Sequence, residues 1–115
     1  MQVNRFDKAK QYVAPRHNAC VGYRLQGSDA TKVDDFWVGM SHFLPGGGAD
    51  RDASPFEKVY VVISGEITVE TAGERVTLKA LDSCVIGKNE ERTLVNESHL
   101  PCSMLVVIST HKDAA

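Results

Sequence analysis

The sequence predicts an all-β fold in a single domain, closed as a barrel or sandwich, and three observations carry that expectation. Short runs rich in β-branched and aromatic residues recur along the chain, with turn signals about every eight to twelve residues. Only residues 6–12 could form even a short helix, which argues against βαβ units. In the run KVYVVIS, Val59, Val61 and Ile63 alternate with Tyr60 and Val62, so both faces are apolar. Such a strand lines an interior with one face and meets a second sheet or another subunit with the other.

Taken in order, residues 1–19 are partly irregular and suit a contact with a second copy in a homodimer. Residues 20–26 form a strand candidate, and 36–44 (FWVGMSHFL) a stronger one, stopped by a wide turn at Pro45-Gly46-Gly47-Gly48. The stretch 49–55 is polar and turn-prone. Strands follow at 58–64, closed by Gly65, and at 66–71. A hairpin turn at Ala72-Gly73-Glu74 leads to 75–78. Further strands are expected at 83–86, 92–96 and 104–109, with a tail over 110–115.

At 115 residues the whole chain, 1–115, makes one domain and buries roughly two-thirds of its unfolded surface without help from metal or disulfide. A net charge of −2 gives no electrostatic reason for a nucleic-acid or anionic-membrane partner. Cys20, Cys84 and Cys102 are odd in number and widely spaced, which suits inert thiols in a reducing compartment. The charged N-terminus does not resemble a signal peptide, and no apolar run could span a bilayer as a helix. A cytoplasmic protein is expected.

The run 45–96 resembles the two-motif core of the cupin superfamily, of the small single-domain kind. The first motif of that family places H-x-H and then Glu before a closing Gly. Here Gly65 closes it, and counting back over VYVVIS reaches Lys58. In the second motif Gly73 leads to Lys79 and Leu81, Asp82 takes a usual acidic place, and Arg92 to Asn96 end it. The resemblance implies a jelly-roll barrel, or double-stranded β-helix, that pairs as a homodimer. In metal-binding members the two His of H-x-H, the Glu and the second-motif His hold one divalent ion. Carried over, those positions are Asp52, Ser54, Lys58 and Arg92. Two cations offer no lone pair and would repel such an ion, so no metal cofactor is expected in that place.

In this register Lys58, Tyr60 and Val62 face the interior together with Arg92. Two cations in a low-dielectric cavity call for an anion. Asp52 could supply it as an internal ion cluster, or a ligand carboxylate or phosphate could, gripped by Arg92. Alternatively, Lys58 could lose its proton and act as a base or Schiff-base nucleophile. His42 shares a strand face with Phe36, Val38, Met40 and Leu44, expected to be the interior one, where it and Tyr60 would exchange protons. His17 is expected at the barrel mouth, and His99 and His111 in solvent. The glycines Gly46–Gly48 lack the context of a phosphate-binding loop and are better explained as turn makers.

Three functions stay open on this basis. The first is a metal-independent isomerase, lyase, decarboxylase or cyclase acting on an anionic, carboxylate-bearing compound, with aromatic and keto compounds among the candidates. Its catalytic residues would be His42, Lys58 and Tyr60, with Arg92, Asp52 and His17 binding the small-molecule substrate. The second is a non-catalytic binding or sensing module. The third is a metal-dependent dioxygenase or isomerase with unusual ligands drawn from His17, His42 and either Glu57 or Asp52.

Overall fold

A computed structural model describes residues 1–111, so positions 112–115 of the tail lie outside the described residues. The chain opens with a single 3-10 turn, Phe6–Lys8, followed by nine strands. These are β1 (Gln11–Tyr12), β2 (His17–Gln26), β3 (Phe36–Asp52), β4 (Lys58–Ser64), β5 (Glu66–Thr71), β6 (Glu74–Lys79), β7 (Ser83–Ile86), β8 (Arg92–Val95) and β9 (Cys102–Ser109). The strands pair antiparallel in the order β6-β5-β8-β3-β9-β4-β7, with β2 on β3 and β1 on β2. This is the jelly-roll arrangement, an all-β barrel that rolls one sheet around one core. No helix among the described residues is long and apolar enough to cross a membrane.

The short helix expected over 6–12 reduces to that one turn, because Gln11 and Tyr12 are drawn into pairing with Tyr23 and Gly22. A larger departure concerns β3. The expected turn at Pro45-Gly46-Gly47-Gly48 and the polar stretch behind it lie inside one continuous strand. Its first half pairs with β9 from Phe36↔Ser109 to Phe43↔Cys102, and its second half pairs with β8 from Gly48↔Val95 to Asp52↔Arg92. The glycines mark close approach rather than chain reversal. A Cβ on Gly48 would lie 1.9 Å from the Leu94 carbonyl oxygen, and one on Gly47 would lie 2.5 Å from that of Ala19. Only a residue without a side chain lets three strands meet there.

Asn96 pins this bend. It is fully buried, and its amide nitrogen donates to the carbonyls of Phe43 (3.1 Å) and Leu100 (2.8 Å). Its side-chain oxygen accepts from the backbone N–H and the hydroxyl of Ser98 (3.0 and 2.7 Å). Its backbone N–H donates to Gly47 (2.8 Å) and its carbonyl accepts from Gly46 (2.7 Å). Every polar atom of a fully desolvated amide is thereby matched.

The core gathers Phe43, Tyr60, Val62, Ile67, Val69, Leu78, Ile86, Leu94, Met104 and Val106 from the inward-facing positions of seven strands, β3 to β9. Lys58, Tyr60 and Val62 alternate inward along β4, as the register argument requires. The hairpin between β5 and β6 closes on Ala72-Gly73, with Gly73 at φ +73°, where a left-handed residue is needed. Replacing Asn96 by Ala would strand the buried Phe43 carbonyl and free the partly buried one of Leu100. We expect a loss of about 2–4 kcal/mol in denaturant unfolding with the β-sheet circular dichroism retained, and an unchanged midpoint would show that the bend is held by other contacts.

Candidate functional site

The barrel encloses a cavity of about 310 Å³, open past residues Tyr12 to Pro15. All four positions that the resemblance aligns with metal ligands, Asp52, Ser54, Lys58 and Arg92, line this one space. Each is placed by a different constraint. Lys58 and Tyr60 alternate inward from β4, Arg92 faces Asp52 across the β3–β8 pairing, and Ser54 lies in the loop beyond β3.

Arg92 is 6% exposed and Lys58 8%. The Arg92 Nε donates to the Tyr60 hydroxyl and an Nη1 proton to the Asp50 carbonyl, both at 2.9 Å. Both acceptors are neutral. Among the described residues the Lys58 side-chain amine makes no hydrogen bond or ion pair. The internal ion cluster is therefore not formed. Asp52 points toward the rim, its carboxylate 3.6 Å from Arg16 and accepting the backbone N–H of Ala53. Burial pulls the Lys58 amine below the usual lysine range and the nearby Arg92 charge lowers it further, while Asp52 acts the other way. The Tyr60 hydroxyl is held above the usual phenol range by burial, against the opposing charge and hydrogen bond of Arg92.

His17 does line the cavity. Its Nδ1 lies 2.7 Å from the Pro15 carbonyl, which can only accept, so that nitrogen carries the proton. The ring, stacked 6.3 Å from Phe43, thus keeps a lone pair on Nε2. Burial lowers its pKa, and the Arg92 and Lys58 charges add to that against the Pro15 bond, favouring the neutral form. The backbone around it is bent on purpose. Arg16 and Ala19 sit at φ +57° and +45°, and the β2–β3 register slips between Asn18 and Cys20. Left-handed non-glycine residues and bulges of this kind re-aim a side chain at a cost of about 1 kcal/mol or more each.

His42 is not in the cavity. The inward residues of β3 are Gly39, Ser41 and Phe43, so the parity expected for His42 is reversed. It sits outside the barrel, with Nδ1 2.8 Å from the Ser103 hydroxyl and its ring against Tyr23 and Phe6. Bulk misled here because this outer face is itself half-covered by apolar side chains, whereas the inner face needs small residues. Gly39 shows why. A Cβ there would lie 2.9 Å from the Trp37 ring and 3.0 Å from the Tyr12 hydroxyl.

Tyr12, Trp37 and Arg24, none of them singled out from the sequence, build the opposite wall. The rings of Tyr12 and Trp37 meet edge to face at 5.8 Å, and the Arg24 guanidinium lies 4.0 Å from one centroid and 4.4 Å from the other. A Cβ on Gly22 would lie 2.8 Å from the Tyr12 ring, so Gly22 and Gly39 together make the slot for it. The paired spacing of aromatic and glycine positions was the only available hint, and pairing had to be known first.

The donor set does not suit a metal. Lys58 and Arg92 have no lone pair to give while charged, and no group of three or more His, Cys, Asp or Glu among the described residues is arranged to hold an ion. The alternative ligand set drawn from His17, His42, Glu57 and Asp52 is dispersed, with His42 outside the barrel and Glu57 exposed.

Residues 39–108 match the family model described as a cupin domain. A protein of Mycobacterium tuberculosis (strain ATCC 25618 / H37Rv) named beta-D-galactosidase Rv1717 is 38% identical over 109 residues, covering 95% of this chain and 94% of that one. The polyketide cyclase RemF from Streptomyces resistomycificus superposes with a TM-score of 0.84 at 16% identity, over 99% of this chain and 82% of that one. An RmlC-like cupin from Shewanella frigidimarina gives 0.80 at 14% identity, over 98% and 94%. At such identities the two structures speak for the fold alone.

The Lys58 proton gives a test of this electrostatic picture. Its folded-state pKa lies below the ordinary 10.5, so the folded chain holds this proton less readily than the unfolded one. Stability should therefore rise with pH between the lowered value and the ordinary one. Lys58→Met, which removes the buried charge, is expected to stabilise the protein by about 1–2 kcal/mol at neutral pH. The advantage should shrink as pH approaches the unfolded lysine value. Denaturant midpoints measured across that range check it, and a variant that melts lower than the parent at neutral pH would mean that Lys58 has a stabilising partner.

Proposed function

The chain belongs to the cupin family, and we propose that it is a metal-independent enzyme of isomerase, lyase or cyclase type acting on a small carboxylate. One observation carries this reading: two buried cations face a common cavity with no carboxylate of the described residues in ion-pairing reach. A ligand anion would relieve that imbalance, and the Arg92 guanidinium, whose Nη2 has no protein partner among the described residues, would donate a charge-assisted hydrogen bond to a carboxylate. The Lys58 amine would polarise a carbonyl of the substrate. Tyr60 can give a proton, and His17, with its free Nε2, takes the acid–base role first expected of His42. Trp37 and Tyr12 offer a flat wall for the rest of the molecule.

The full-length relative favours a second reading, hydrolysis of a β-galactoside. Aromatic walls suit sugar rings, yet hydrolysis by a pair of carboxylates would need two, and among the described residues Asp52 is the one carboxylate lining this cavity.

Melting curves of the chelator-treated protein against a series of small carboxylates separate these readings. We expect saturable stabilisation by carboxylates but not by matched neutral amides, and a weakening of about 10- to 100-fold in Arg92→Ala. Circular dichroism of that variant reports whether it keeps its fold. Absence of any carboxylate response, together with turnover of p-nitrophenyl β-D-galactoside that Asp52→Asn abolishes, would replace the first reading by the second.

A further inference from the structure

Lys58 differs from an ordinary cavity lysine in three ways at once. It is buried to 8% exposure, it has no partner among the described residues, and a guanidinium shares its cavity. A lysine whose task is to bind an anion gains from staying charged, and an acidic neighbour would keep it so. Here the neighbouring charge is Arg92, and the nearest carboxylate, Asp52, is turned to Arg16. Desolvation and a second cation are the two means by which an amine is made nucleophilic. Meanwhile Arg92 commits its Nε and Nη1 to neutral acceptors, which fixes the fork and leaves Nη2 without a protein partner among the described residues.

We propose that Lys58 forms a Schiff base with a 2-oxo acid whose carboxylate is held by Arg92. This rests on the carboxylate-binding reading above and adds to it a covalent step and a substrate class. The amine lone pair attacks the keto carbon, forming the C–N bond, and the carbonyl electron pair goes to oxygen, which takes a proton from Tyr60. The His17 Nε2 accepts the proton released from nitrogen. The carbinolamine then expels its hydroxyl with a returned proton as water, and the C=N bond forms. Overall one amine and one ketone give one imine and one water, with no oxidant or reductant. A carboxylate adjacent to the ketone is the shortest arrangement that gives Arg92 an anion and the neutral Lys58 amine a carbonyl carbon, and it places an imine next to an anchored anion. That nitrogen can then withdraw electrons from the neighbouring carbon, as isomerisation, decarboxylation or ring closure each require. The charged and titratable groups around the amine are Arg92 on β8, His17 on β2, Asp52 on β3 and Tyr60 on β4.

The experiment is reductive trapping of the full chain with pyruvate and sodium borohydride, read by intact mass and peptide mapping. Lactate, which has the carboxylate but no ketone, serves as control. We expect one reduced pyruvyl group per chain, carried by Lys58, absent in Lys58→Met and reduced at least tenfold in Arg92→Gln. Lactate should raise the melting temperature yet leave the mass unchanged. Stabilisation by pyruvate without an adduct on Lys58 would overturn the Schiff base and leave the carboxylate pocket standing. Neither stabilisation nor adduct would overturn both. Labelling that persists at equal yield in Lys58→Met would assign the reaction to surface amines and also overturn the proposal.

Discussion

The structure depends on β3 serving two partners in succession along one edge, with β2 along the other, without a break. Its first half belongs with β9 and its second with β8, and a chain of ordinary residues could not make that passage. Side chains at Gly47 and Gly48 would strike the neighbouring carbonyls, and Asn96 spends every one of its polar atoms holding the bend. Because β3 carries on to Asp52, its far end lies beside Arg92, while its near end reaches β4 through β9. The convergence of distant sequence positions on one cavity follows from that single continuous strand.

What converges there runs against the ordinary logic of a core. Lys58 and Arg92 take positions where an apolar residue would cost nothing, and no carboxylate among the described residues forms an ion pair with them. Backbone geometry near His17 is likewise unfavourable, with two left-handed non-glycine residues and a register slip in one short segment. Unfavourable charge and unfavourable backbone occupy the same side of the barrel, while the rest of the interior is conventional aliphatic packing. Local rules fail together where something other than stability is being served.

Much of this was legible in the sequence, and the reasons for the remainder are physical. The β4 run has strong alternation and a closing glycine, so the inward placing of Lys58 and Tyr60 followed, and that of Arg92 from the second motif. The β3 run was harder because Pro-Gly-Gly-Gly has the composition of a turn, and only the neighbours that crowd it reveal a strand. Face assignment by bulk failed at His42, since the inner wall needed Gly39 and Ser41 to admit Tyr12 and Trp37. That aromatic wall joins residues from β1, β2 and β3, and no local pattern announces a contact made by pairing.

A comparison of charge ties the site to its family. The resemblance places a divalent cation among two His, a Glu and a further His, a centre that attracts anionic or polarisable oxygen. In this chain two of those four positions carry a positive charge of their own, each on a side chain fixed by the sheet. The attraction toward an anion is thereby kept, although the means is different. A metal ion is an electrophile that stays charged, whereas Lys58, desolvated and set beside Arg92, can release its proton and become a nucleophile. On the function proposed above, what one ion would do is divided between two residues. In that proposal Arg92 supplies the permanent charge that holds a carboxylate, and Lys58 is the group that would change its protonation state during a reaction.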